Sequence, residues 1–154
     1  MDDVDRRLID ALRGNGRATY AELARGVGLS APAVHERVAK LEAAGIITGY
    51  HVGVTPAALG LGVSALVGIQ QSERADQARV AEVLEAIPEI EDCWVVAGEE
   101  TFVVKVRVAD VAALEQVIVA IHQIRGVART RTTVVLSTRF EGRIRTSSAG
   151  PGPG

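Results

Sequence analysis

Ala31, Ala33, His35, Arg37 and Lys40 stand close together after Gly28, and their side chains share one competence. An imidazole, a guanidinium and an ammonium can hydrogen-bond to base edges or pair with phosphates, while alanines leave room for a groove wall to come near. Groups suited to bond-making chemistry are placed less coherently. Cys93 falls within an apolar stretch, and His35, His51 and His122 are scattered without metal-ligand spacing or a Cys–His pairing. No phosphate-cradling glycine loop is present in the sequence either. The reading is therefore a binding protein with no catalytic residues, no metal and no cofactor.

The elements that must position those groups are legible on either side of Gly28. Leu23, Ala24 and Val27 recur at helical spacing, Gly28 breaks the run, and Ser30 can cap a second helix whose Val34, Val38 and Leu41 share an inward face. An earlier helix carries Leu8, Ile9 and Leu12, with Asp5 as its expected cap and Gly14 and Gly16 as its end. Gly45 suits a left-handed helix end, after which Ile46, Ile47 and Tyr50 are expected to open a strand. The pattern predicts a winged helix-turn-helix over residues 1–50, with the helix after Gly28 as the reader.

Residues 52–72 carry no formal charge, and about 20 apolar residues suffice to span a membrane. Pro56, Gly53, Gly60, Gly62 and Gly68 interrupt the stretch, and no aromatic belt or basic cluster flanks it. A linker over 51–62 followed by a strand from Val63 to Gln70 accounts for it better, with Val63, Ala65, Val67 and Ile69 alternating.

Beyond it the pattern of strand, helix and strand occurs twice. Val80, Val83, Leu84 and Ile87 form a helical stripe over 75–87, Pro88 stops it, and Cys93 to Ala97 returns as a strand. Phe102, Val104, Val106 and Val108 then alternate, Asp110 caps a helix bearing Leu114, Val117, Ile118 and Ile121, and Arg129 to Leu136 closes the unit. The fold class expected is α+β, the second part (63–145) being a ferredoxin-like βαββαβ domain with both helices on one face of the sheet. Leu66, Trp94 and Val103 would line the other face, so sheet-to-sheet dimerisation is expected. The tail from 146 to 154 is rich in glycine and proline and is expected to take no fixed fold.

Composition bounds the reading without directing it. At 154 residues and 47% apolar the chain can bury a real core, and its formal net charge of −2 permits DNA as a partner without indicating it. Up to Tyr50 the seven acidic and seven basic residues cancel, so DNA binding needs acids and arginines on different sides. A single cysteine forms no intramolecular disulfide, and no secretory leader is apparent, so a cytoplasmic home is expected.

Taken in order, Asp5 with Leu8 and Leu12, GRATYAELA from Gly16, VGLSAPAV from Val27, RVAKLEAAGIITGY from Arg37 and VAGEETFVVKVRV from Val96 resemble the leucine-responsive/asparagine regulator (Lrp/AsnC, feast/famine) family of transcription factors. The resemblance covers nearly the whole chain. It implies a sequence-specific DNA-binding homodimer that assembles to tetramers or octamers and responds to an amino acid. It also implies a recognition helix opening at Ser30, with Ser30, Ala31, Ala33, His35 and Arg37 near the groove, Lys40 nearer phosphate, and Arg17 on the DNA backbone. By the same resemblance the effector would bind around Gly98, Glu99, Glu100 and Thr101, with Thr132 lining the site from a neighbouring subunit. Many members carry Asp where Thr101 stands, so here Glu99 or Glu100 would supply the acidic contact.

Plainer roles stand beside these. Ser30 can be a cap alone, His35 a solvated side chain, Arg37 a partner of Glu36 or Glu42, Glu99 and Glu100 a solvated turn, and Thr132 an ordinary strand residue. A nucleoid-associated architectural protein and a metabolite-sensing module without DNA function are the alternative functions.

Overall fold

The computed structural model describes residues 1–142, so the expectation for the tail over 146–154 lies outside the described residues. Met1–Gly53 falls in one compact unit and Val54–Glu141 in another.

In the first unit, α1 (Asp3–Gly14), α2 (Tyr20–Val27) and α3 (Ala31–Ala43) enclose a small core. Each start is fixed by side-chain chemistry. Asp2, rather than Asp5, is the cap of α1: Asp2 Oδ1 accepts from the Asp5 N–H and Asp5 Oδ2 from the Asp2 N–H, both at 2.9 Å. Asp5 thus closes the cap from inside the first turn. Thr19 and Glu22 do the same for α2, and Ser30 accepts from the Ala33 N–H for α3 at 3.3 Å. Gly28 ends α2 with φ of 75°. Leu8, Leu12, Leu23, Ala24, Val34 and Val38 are buried together, which is the apolar stripe that the spacing announces.

The strand expected after α3 is not formed. The Ile46 and Ile47 N–H groups bond back to the Leu41 carbonyl at 2.9 and 3.2 Å, and residues 48–50 continue without a ladder partner among the described residues. A lone extended segment has nothing to pair with inside one chain, so its apolar residues do not by themselves make a strand.

The second unit opens with one 3-10 turn, Pro56–Leu59, and runs β1 (Val63–Gln71), α4 (Gln77–Glu85), β2 (Ile90–Val95), β3 (Phe102–Val108), α5 (Val111–His122) and β4 (Val127–Val135). The sheet order is β2-β3-β1-β4 with every pairing antiparallel, the ferredoxin-like arrangement. Ala65, Val67 and Ile69 of β1 and Phe102, Val104 and Val106 of β3 are fully buried against Val80 and Leu84 of α4 and Leu114, Val117 and Ile121 of α5. The uncharged stretch thus supplies a central strand, and among the described residues no helix is long and apolar enough to cross a membrane.

β2 begins at Ile90, ahead of the expected Cys93. It is an edge strand, its register slips between Ile90 and Asp92, and its residues are largely exposed, so it lacks the alternation that makes β1 and β3 readable. On the face away from the helices, Leu66, Val103 and Trp94 lie beside a charged patch. There Glu91 pairs with Lys105 at 2.9 Å and with Arg107 at 2.6 Å, and Glu141 pairs with both cations.

Candidate nucleic-acid interface and effector turn

Successive residues of a helix are turned by about 100°. With Val34, Val38 and Leu41 buried, Pro32, Glu36, Ala39 and Ala43 therefore occupy the opposite side of α3, and all four are exposed. His35 and Glu42 lie on one flank; Ala33, Arg37 and Lys40 lie on the other. Ala31, Ala33 and Arg37 are half-buried, so the expected reader residues border the outermost line of the helix, and Pro32, Glu36 and Ala39 make it. Residues 36 and 43 are the positions furthest round from the 34, 38, 41 stripe.

Each flank is braced. The Tyr20 ring of α2 meets His35 edge-on, with centroids 4.9 Å apart and planes at 75°. Tyr50, beyond α3, donates from its hydroxyl to Glu42 at 2.8 Å; burial, reinforced by that carboxylate, pushes the phenol up to about 12. On the other flank Arg37 Nη1 lies 2.8 Å from Asp2 Oδ2 and 2.8 Å from Asp5 Oδ1.

This corrects the partners expected for Arg37. Glu36 instead accepts from Lys40 at 2.7 Å, and Glu42 holds Tyr50. Positions 36 and 42 do not face residue 37 on a helix, whereas the start of α1 lies alongside it. The Asp5 N–H and then the Arg37 guanidinium hold the Asp2 carboxyl below the usual carboxylate range, and Arg37 is raised by hydrogen bonds to Asp2 and Asp5. Ser30 is exposed while it caps α3, and Arg17 is exposed ahead of α2, its N–H donating to the Asn15 side chain at 3.1 Å.

In the second unit the turn between β2 and β3 holds Gly98, Glu99, Glu100 and Thr101. Gly98 takes φ of 149°, open chiefly to glycine. Thr101 is tied to β1: its N–H donates to the Ile69 carbonyl at 2.8 Å and its hydroxyl accepts from the Gln71 N–H at 3.3 Å.

Glu100 lies across the open face above Gly68, where an added Cβ would come within 2.8 Å of Glu100 Cγ, and its carboxylate pairs with Arg131 of β4. A cleft of about 110 Å³ there is lined by Gly68, Gln70, Glu99, Glu100, Arg129 and Arg131. Gly68, Arg129 and Arg131 were not singled out from the sequence, because only the strand register brings Gly68 opposite Arg131. Thr132, paired with Val67, belongs to the helix-covered side of the sheet, away from this cleft within one chain.

Three capped helices presenting α3, together with an α/β unit that has a polar cleft on its open face, define a helix-turn-helix regulator with a separate ligand-binding domain. Residues 1–42 match the AsnC-type helix-turn-helix domain and residues 63–144 the Lrp/AsnC ligand binding domain. The chain is 42% identical over 143 residues to the HTH-type transcriptional regulator LrpA of Mycobacterium tuberculosis, covering 93% of this chain and 95% of that one. To the regulatory protein AsnC of Escherichia coli strain K12 it is 35% identical over 137 residues, covering 88% and 90%.

Among solved structures, that of E. coli AsnC superposes with a TM-score of 0.87 at 34% identity, over 94% of this chain and 97% of that one. A feast or famine regulatory protein from M. tuberculosis complexed with L-methionine gives a TM-score of 0.88 at 42% identity, over 94% and 97%. The chain belongs to the Lrp/AsnC family. It is a helix-turn-helix DNA-binding transcriptional regulator and not an enzyme.

Proposed function

We propose that this regulator acts as a two-fold homodimer whose two α3 helices enter successive major grooves about 34–36 Å apart, and that dimers associate further into tetramers or octamers. Residues 1–50 form the DNA-binding part, 51–62 the linker and 63–145 the effector and assembly part of a cytoplasmic protein. Ser30 and His35 meet the groove and its edges, Lys40 stands nearer phosphate, Arg17 meets the DNA backbone, and Ala31 and Ala33 allow the helix to come close. Arg37, engaged by Asp2 and Asp5, contributes by holding α3 at a fixed angle to α1.

The effector is an α-amino acid bound at the β2–β3 turn. One observation carries this reading: Glu100 and Arg131 form an ion pair across Gly68, and an amino acid carries the same two charges on groups attached to one carbon. Its ammonium group can take the place of Arg131 beside Glu100, and its carboxylate the place of Glu100 beside Arg131, with Arg129 in the same cleft. Thr101 is occupied in the sheet, which leaves Glu100 as the acidic contact; Gly98 shapes the turn, Glu99 borders the cleft, and Thr132 is offered to a neighbouring subunit.

Ligand preference between assembly states would then change the set of DNA sites occupied. Calorimetric titration of the full chain with each common amino acid tests the site. Saturable binding of at least one of them is expected, weakened tenfold or more in Glu100→Gln; unchanged affinity in that variant would place the effector elsewhere.

A further inference from the structure

Glu36 occupies the wrong kind of position for an acid that does nothing. It stands at the middle of the exposed line of α3, with Pro32 a turn before it and Ala39 a turn after, so no longer side chain on that line reaches further out. In a helix laid along a major groove this carboxylate faces phosphates from both walls, and their charges oppose it. An exposed pair one helical turn apart contributes little, which does not outweigh several such repulsions. Lys40, 2.7 Å from Glu36 Oε1, offsets the charge and leaves the second carboxylate oxygen without a protein donor among the described residues.

An ionised carboxylate only accepts hydrogen bonds. Along the major groove the donors are cytosine N4 and adenine N6; guanine and thymine present acceptors, and adenine places the N7 acceptor beside its amino group. Cytosine is the base whose edge meets a carboxylate with a donor and no adjacent lone pair.

Building on the placement of α3 in the groove, we infer that Glu36 is a specificity-determining residue, accepting from the N4 amino group of one cytosine in each half-site while Lys40 shields it from the phosphates. The pair is then a reading device instead of a surface ornament of the helix. Losing a contact of this kind changes discrimination at its base pair by roughly 10- to 100-fold and leaves other positions alone.

Selection of duplexes from a random pool by the full chain, repeated with Glu36→Gln and Glu36→Ala, tests this. The unmodified chain is expected to select C·G at one position per half-site. Glu36→Gln, which keeps the size of the side chain, is expected to move that position toward A·T, since glutamine can bond adenine N6 and N7 together. Glu36→Ala is expected to lose the preference there alone. Both variants free Lys40 for phosphate, so binding should depend on salt more steeply, by about one unit of log–log slope per subunit. Identical selected sequences from all three proteins would overturn the inference while leaving α3 as the reader. A lack of any base preference in the unmodified chain would overturn both.

Discussion

Arg37 shows how much of a residue's surroundings its type leaves open. Its guanidinium on a reading helix suggests phosphate, yet Nη1 is held by Asp2 and Asp5, which lie 35 and 32 positions away in the chain. Local spacing reveals which face Arg37 occupies but not what the start of α1 brings against that face. Arg37→Ala leaves the Asp5 carboxylate, only 14% exposed, without its cation and frees α3 to rock. A drop of a few degrees in Tm and a loss of operator affinity of about tenfold are expected, with partial recovery in Arg37→Lys, measured by thermal unfolding and gel shift.

The same clamp is sensitive to acid. Asp2 has its folded pKa lowered, so its contribution is complete above the ordinary carboxylate value and disappears as pH falls through the lowered one. As pH falls below the ordinary carboxylate range, thermal unfolding of the unmodified chain should therefore lose stability more steeply than that of Arg37→Ala.

At the scale of elements, legibility followed the strength of local rules. The helices around Gly28 were readable because caps and apolar stripes coincide, and β1 and β3 because central strands alternate against a core. Asp2 and Asp5 look alike as caps of α1 in sequence because Asp5 makes the reciprocal bond three residues on. The start of β2 is not legible because an edge strand with Glu91 and Asp92 exposed has no buried side to impose a period, and the extended stretch after α3 forms no strand because pairing requires a second one.

Of the proposed effector cleft, the resemblance names the turn from Gly98 to Thr101, whereas Arg129 and Arg131 enter it only through the β1–β4 register. The open face of the sheet carries its own prediction. Leu66 is 39% and Trp94 47% exposed there, a semi-apolar surface that a second copy would bury. The double variant Leu66→Asp, Trp94→Asp should sediment as a monomer at micromolar concentration with its helical circular dichroism intact; an unchanged dimer would place the interface elsewhere.

At the scale of the whole molecule, an N-terminal half with balanced charge binds a polyanion only if it is used more than once and if its acids are engaged. Within the first unit, Asp2 and Asp5 face Arg37, Glu36 faces Lys40, and Glu42 faces Tyr50. In the proposed dimer symmetry supplies the second use, because two copies of α3 are then presented. The most direct measurement is a footprint of the full chain on the DNA upstream of its own gene, in the presence of competitor DNA. Two protected half-sites about one helical turn apart, lost when α3 is disabled and altered by an amino acid, are the expected result. Uniform protection that competitor DNA abolishes would contradict it, because phosphate contacts alone would then account for all the binding.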